Sequence, residues 1–315
     1  MRVLVATDGS EAAVVGCELA RDVAARSGGL VRFVTVLPPT QDLFGGPWPV
    51  GATLDPLAVE TEAIEQLEGV LRAEVERTPS EIQPTSTLRR GRPAAEIVAE
   101  AAAWGADLIV VGSRGHNALS TLLLGSTAEE VIDRSPVPVL VARLPHLRRM
   151  VVAVDGSPAA EAAVDFVTAH LPGTEAEAIV VDVAPPAYPW WLGLGAADAG
   201  TYERVLSATD AIRDQGRAAA EATARRFADD RFTTEVEHRA GDAADELVRV
   251  ADERGADTVV IGSRGQRGVV RLVVGSVARQ VLRHAPQSVL VVHPTAIPAR
   301  QETSQDADEA EFVAH

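Results

Sequence analysis

Residues 107–115 read DLIVVGSRG and residues 257–265 read DTVVIGSRG, the same phrase 150 positions apart. Each opens with a short Val- and Ile-rich run, the composition of a strand buried on both faces. Each then breaks into Gly-x-x-Gly, as Gly112/Gly115 and Gly262/Gly265, which reads as a turn. Outward from this phrase a second pair appears: residues 3–10 read VLVATDGS and residues 150–157 read MVVAVDGS, at an offset of 147. Gly91 and Gly241 pair at 150, as do Gly125 and Gly275, whereas Pro38-Pro39 and Pro185-Pro186 still pair at 147. The chain is therefore a tandem duplication whose second copy has gained three residues after those prolines. The Gly-, Pro- and Trp-rich stretches 41–56 and 187–200 are the expected place, because surface loops tolerate insertion.

Each copy alternates strand and helix. In the first, strands are expected at Val3–Ala6, Val31–Leu37, Thr85–Arg89, Leu108–Val111 and Val137–Ala142, with helices over 11–27, 57–77, 93–104 and 127–134. The second copy retraces this order to Val289–Val292. Such alternation predicts an α/β fold with a parallel sheet covered on both faces. A length of 315 residues fits two domains, placed at 1–145 and 146–296 around a linker RLPHLRR at 143–149. The polar, acidic stretch 297–315 reads as a disordered tail.

Composition narrows the function. Hydrophobic residues make up 46% and aromatics only 4%, so the cores must rest on Val, Leu, Ile and Ala. A net charge of -16 argues against nucleic-acid binding, which needs basic stripes. The sequence has no lysine, and all 29 basic residues are arginine. This excludes the phosphate loop that depends on GK[ST], and lysine Schiff-base chemistry. The single cysteine, Cys17, lies in an apolar helical pattern and reads as a small buried hydrophobe. No disulfide framework is possible within one chain, there is no signal-peptide layout, and no apolar run approaches the ~20 residues of a membrane helix. A cytoplasmic location is expected, without membrane partners. The histidines form no metal motif, so no dedicated metal site is expected.

Three features recur in both copies. An Asp closes the first strand (Asp8, Asp155), Gly-x-x-Gly follows the fourth, and nine residues later Gly-Ser opens a helix (Gly125-Ser126, Gly275-Ser276). Open α/β sheets bind ligands at the carboxyl ends of their strands, where strand order reverses. If the order is 3-2-1-4-5, the Asp and the glycine loop flank that crevice. A carboxylate there accepts hydrogen bonds from ribose hydroxyls. Glycines admit close backbone approach, and a helix start offers unpaired N–H groups to phosphate. Without lysine, phosphate charge falls to backbone, hydroxyls, Arg114 or Arg264, and a divalent cation.

The pattern G-x2-G-x9-G-[ST], after a V-x-x-D-G-S first strand, resembles the ATP-binding branch of the universal stress protein family, over about residues 1–143 and 149–293. The resemblance implies two tandem doubly wound domains of the HUP (adenine nucleotide alpha hydrolase-like) type, each a five-stranded parallel sheet of order 3-2-1-4-5. It implies ATP, with Mg2+, as the ligand. The first-strand Asp would reach adenosine, and Val36 and Val183 would contact adenine through their backbones. The glycine loop and Gly-Ser would hold ribose and phosphates. Carried over residue by residue, the first site comprises Ala6, Thr7, Asp8, Val36, Val111, Gly112, Arg114, Gly115, Gly125, Ser126 and Thr127. The second comprises Ala153, Val154, Asp155, Val183, Ile261, Gly262, Arg264, Gly265, Gly275, Ser276 and Val277. Thr127 supplies a hydroxyl where Val277 has none, and the second spacer adds Arg267 and Arg271.

Plainer readings stand beside these. Ser126 and Glu129 make an S-x-x-E capping box. Ser10 and Ser157 read as helix N-caps, with Pro158 at the first helical position. Gly112 and Gly262 also suit a strand-to-helix turn. Trp48, Trp190 and Trp191 suit loops packed on their own domain. No catalytic residue is identifiable. The expected function is a nucleotide-dependent stress-response regulator with one site per domain, the alternatives being a slow ATP hydrolase and a nucleotide-free structural pseudo-dimer. The apolar fifth strands, Val139–Val141 and Val289–Val292, are expected to pair with each other as an intramolecular pseudo-dimer, with homodimerisation through other faces also open.

Overall fold

A computed structural model describes residues 1–39, 56–115, 124–171, 176–185, 199–230, 232–265 and 274–294. Trp48, Trp190, Trp191, Arg267, Arg271 and the stretch 297–315 lie outside them. The first half runs β1 (Arg2–Ala6), α1 (Glu11–Arg26), β2 (Leu30–Leu37), α2 (Pro56–Glu76), β3 (Thr85–Arg90), α3 (Pro93–Trp104), β4 (Leu108–Gly112), α4 (Ser126–Arg134) and β5 (Val139–Ala142). The second runs β6 (Arg149–Ala153), α5 (Pro158–His170), β7 (Glu177–Ala184), α6 (Ala199–Asp229), β8 (Thr233–Ala240), α7 (Ala243–Glu253), β9 (Thr258–Gly262), α8 (Ser276–His284) and β10 (Ser288–Val292).

The ten strands form one sheet in the order β3-β2-β1-β4-β5-β10-β9-β6-β7-β8. Each half is thus ordered 3-2-1-4-5 and is parallel throughout. The halves meet where β5 and β10 pair antiparallel, Val141 opposite Val289, Leu140 opposite Leu290 and Val139 opposite Val291. Consecutive residues of the central strands are buried on opposite faces. Val3 and Val5 join one apolar layer with Leu19 and Phe33, while Leu4 joins the other with Ile97, Ile109 and Ile132. Residues buried on both faces explain why these strands read as unbroken apolar runs rather than alternating ones. Burying one such Leu or Ile contributes about 1.5–3 kcal/mol, so strand placement is held by packing as much as by the ladder.

Local chemistry sets the helix starts. Ser10 Oγ accepts from Ala13 N at 3.3 Å and Ser157 Oγ from Ala160 N at 3.2 Å, as N-caps do, and Pro158 stands at the first helical position. The capping box at Ser126 does not form. Gly125 is the N-cap, Ser126 already lies inside the helix, and no side chain caps it. The Glu129 carboxylate pairs instead with Arg279 of the other half. Among the described residues, no helix is long and apolar enough to cross a membrane.

Candidate functional site

At the carboxyl ends of β6, β7 and β9, between α6 on one face and α7 and α8 on the other, lies a cavity of about 830 Å³. All eleven residues named from sequence for the second site line it: Ala153, Val154, Asp155, Val183, Ile261, Gly262, Arg264, Gly265, Gly275, Ser276 and Val277. Its volume is in the range of small-molecule and cofactor sites.

The backbone around the cavity follows from a few residues. After β6 the chain stays tied to β7 through Val154 N donating to the Val181 carbonyl at 2.9 Å. Gly156 then turns with φ +71°, a conformation that glycine adopts without strain. This turn lets Asp155 Oδ1 accept from Ser157 N at 2.9 Å and sets the carboxylate beside the glycine loop. A Cβ on Gly265 would stand 2.9 Å from Asp155 Oδ2. The loop is fastened at its start by Ser263 N donating to the Val292 carbonyl at 2.7 Å, and at its end by Gly275 N donating to the Ser263 carbonyl at 2.7 Å. Ser157 Oγ also donates to the Arg264 carbonyl at 3.3 Å, joining the N-cap of α5 to the loop.

The first half repeats these contacts on Asp8, Gly112, Gly115 and Gly125. Thr7 N donates to the Val34 carbonyl at 2.9 Å, Gly9 has φ +79°, and Asp8 Oδ1 accepts from Ser10 N at 3.0 Å. A Cβ on Gly115 would stand 2.8 Å from Asp8 Oδ2, and Gly125 N donates to the Ser113 carbonyl at 2.8 Å. Ala6, Val36 and Val111 occupy the β1, β2 and β4 positions that Ala153, Val183 and Ile261 hold on β6, β7 and β9. Ser126 and Thr127 begin α4, where Ser276 and Val277 begin α8.

Gly112 and Gly262 answer a packing need. A Cβ there would stand 2.8 Å from the Ala12 carbonyl carbon or 2.5 Å from that of Ala159, inside the first turn of α1 or α5. They let a helix start press onto the end of the fourth strand of each half. Gly115 and Gly265 instead bring the loop to the carboxylate.

The site electrostatics mix acid, backbone and arginine. Gly125 and Gly275 cap their helices without a side chain, so first-turn N–H groups of α4 and α8 remain for an anion. Ser263 Oγ, fully buried in the cavity wall, finds no hydrogen-bond partner among the described residues, as does Thr35 Oγ1 in the first half. Ser263 Oγ is a polar atom on the cavity wall that a ligand could satisfy. Burial, with the neighbouring charge of Arg114, brings the Arg143 guanidinium down to about 10. Among the described residues there is no group of three His, Cys, Asp or Glu side chains able to hold a metal.

Sequence reasoning missed the cavity residues supplied by α6 and α7, and with them a second acid. Asp182, 3% exposed on β7, lines the cavity and pairs with His238 Nδ1 on β8. Gly216 of α6 packs over it, where a Cβ would stand 3.0 Å from Asp182 Oδ2. The corresponding pair in the first half is Thr35 opposite Leu88. The available signal was a single acid inside the apolar strand IVVDVA.

The sequence profile of the Universal stress protein family matches residues 1–143 and again 146–293. A universal stress protein of Mycolicibacterium smegmatis is 31% identical over 212 residues, 61% of this chain and 64% of that protein, so the match spans just under two thirds of its length. A universal stress protein of Thermus aquaticus is 33% identical over 141 residues, 45% of this chain and 97% of that protein. A solved universal stress protein from Archaeoglobus fulgidus superposes with a TM-score of 0.64 at 20% identity, over 93% of this chain and 98% of that one, a likeness of fold.

Proposed function

The chain belongs to the universal stress protein family, and from that premise we propose that each of its two domains binds one adenine nucleotide, ATP with a divalent cation, and that the protein acts as a nucleotide-dependent regulator in a stress response. The observation that carries this reading is the second-half cavity, walled by a strand-end carboxylate, a glycine loop and an uncapped helix start. Asp155 would accept from ribose hydroxyls, and the Val183 backbone would meet the base. Gly265, Ser276 and the first-turn N–H groups of α8 would hold phosphate oxygens. Asp8, Val36, Gly115 and Ser126 would do the same in the first half. ATP would bring its own Mg2+, since the described residues supply no cation cage. We place the domains at 1–145 and 146–296, joined as an intramolecular pseudo-dimer, and the protein in the cytoplasm.

Purification without added nucleotide, denaturation and mass spectrometry of the released small molecules tests this. About two equivalents of adenine nucleotide per chain are expected. A protein that releases none, and binds none on titration, refutes the reading.

A slow ATP hydrolase is the second reading. What favours it is Asp182, a second carboxylate in the cavity wall held by His238, since hydrolysis needs a base to orient water. Turnover that survives unchanged in Asp182→Asn would count against it.

A further inference from the structure

The seam between the halves has a twofold register. Val139-Leu140-Val141 and Val289-Leu290-Val291 are the same tripeptide 150 positions apart, and their antiparallel pairing centres on Leu140 opposite Leu290. Each residue therefore faces the counterpart of its own mirror position, as in the interface of a symmetric dimer. Strand edges this alike cannot distinguish a first domain from a second. Taken alone, they would pair first with first, second with second, or copies from different chains.

The helices over the seam break that equivalence. Glu129 and Asp133 on α4 correspond, again 150 positions on, to Arg279 and Arg283 on α8. Around the pseudo-twofold these four charges form one complementary set. Arg279 Nη1 donates to Glu129 Oε1 at 3.2 Å, and Arg279 Nη2 to Asp133 Oδ1 at 2.9 Å and Oδ2 at 3.2 Å. Arg283 Nη2 lies 4.0 Å from Glu129 Oε1, the mirror image of the Arg279–Asp133 contact. In a first-with-first seam the same positions would set Glu129 against Glu129 and Asp133. In a second-with-second seam they would set Arg279 against Arg279 and Arg283. Either arrangement replaces attraction with like-charge contact.

A second layer discriminates without charge. Ser288 Oγ accepts from Arg143 N and from Leu144 N, each at 3.1 Å. The counterpart of Ser288 is Pro138, and that of Leu144 is Pro294. A first-with-first seam would lose the hydroxyl. A second-with-second seam would keep the donor of His293, the counterpart of Arg143, and lose the other to Pro294, which has no N–H. Other cross-seam bonds, Arg143 Nη1 to the Gln287 carbonyl, Arg143 Nη2 to the Leu282 carbonyl and His293 Nε2 to the Ile132 carbonyl, end on backbone carbonyls that either half supplies and do not discriminate.

We infer that α4 and α8 carry a pairing code: the acid set of the first domain and the arginine set of the second direct the fifth strands to close on each other within one chain and reject like halves. The partner this edge fits is the unlike half. The inference stands whether or not either domain binds nucleotide.

Charge exchange in the full-length chain tests it. E129R/D133R makes the seam all-basic, R279E/R283E makes it all-acidic, and the quadruple variant swaps the signs. Asp133 and Arg279 are each about one-third exposed, so salt should reach them. Both double variants are expected to melt several degrees below the parent at about 20 mM salt and to recover much of that loss at about 500 mM, where screening acts within a few ångströms. The quadruple variant is expected to melt with the parent at both. The two double variants, unfolded together and refolded, are expected to give a particle of twice the chain mass containing one of each. Where a double variant does not fold alone, this mixed refolding is the readout. Double variants as stable as the parent at low salt, a quadruple variant no better than the doubles, or a mixture that yields no mixed particle would overturn the code.

Discussion

Gly262→Ala is a one-carbon change whose cost follows from the structure. The added Cβ would lie 2.5 Å from the Ala159 carbonyl carbon, 2.7 Å from its oxygen and 2.8 Å from Ala160 N. The obstacle is backbone, so no rotamer relieves it. That turn is also pinned by Pro158 and by the bond from Ala160 N to Ser157 Oγ. Relief requires α5 to lift off β9 by roughly 1 Å, loosening contacts of the buried Ala163, Phe166 and Val167. Overpacking of this kind costs about 1–3 kcal/mol, and a backbone obstacle belongs in the upper half of that range. At about 2–4 °C per kcal/mol for a unit this size, the melting midpoint should fall by roughly 4–12 °C. Gly112→Ala meets Ala12 at 2.8 Å rather than 2.5 Å and should cost less. Gly69→Ala, exposed on α2 with nothing within 4 Å, should instead stabilise by up to about 1 kcal/mol. Thermal unfolding of the three variants under one buffer decides the matter. A Gly262→Ala protein melting within a degree of the parent, or a Gly112→Ala protein melting below the Gly262→Ala protein, refutes the packing argument.

Gly265→Ala meets only the side-chain atom Asp155 Oδ2, so the fold should survive while the carboxylate turns away. Losing a charged hydrogen bond should weaken nucleotide binding at the second site by about 10-fold or more on titration, and unchanged affinity would count against Asp155 as a ligand group. Burial, then the nearby charge of Glu74, pushes the Cys17 thiol up to about 12. At pH 8 only about one molecule in 10⁴ would be thiolate, so a thiol reagent should label native protein at least about 1,000-fold more slowly than unfolded protein; rapid native labelling would contradict this. His293 is held below the usual imidazole range by burial, against the pull of its bond to the Ile132 carbonyl, with Arg264 lowering it further and Asp133 opposing. A lowered folded-state value means stability is full above the unfolded value near 6.5 and declines as pH falls below it, until the folded group also protonates. His293→Gln should flatten that decline between pH 7.5 and roughly pH 5.5, and an identical slope in both proteins would assign the effect elsewhere.

The fold was legible because its signals are local and doubled. Val-rich runs, the Asp-Gly-Ser turn and the Gly-x-x-Gly loop each report their own backbone, and finding each twice removed the ambiguity of a single short motif. The convergence of Asp155, Gly265 and Gly275 on one cavity followed from the rule that open parallel sheets bind at strand ends. What escaped depends on cross-strand and cross-domain neighbours. Asp182 and His238 lie 56 residues apart and meet only because β7 and β8 pair in that register. Ser126 with Glu129 has the spacing of a capping box, yet Arg279 draws Glu129 across the seam, a contact that no window along the chain contains. The change from Glu129 to Arg279 between copies was visible as a difference, but its meaning needed the twofold register. The packing role of Gly112 and Gly262 likewise required knowing how closely α1 and α5 lie on the sheet.

The central claim, two adenine nucleotide sites built alike, is tested most directly by calorimetric titration of nucleotide-stripped protein with ATP and Mg2+. The account predicts a stoichiometry of two per chain. A stoichiometry of zero, or of one that neither Asp8→Ala nor Asp155→Ala abolishes, would contradict it.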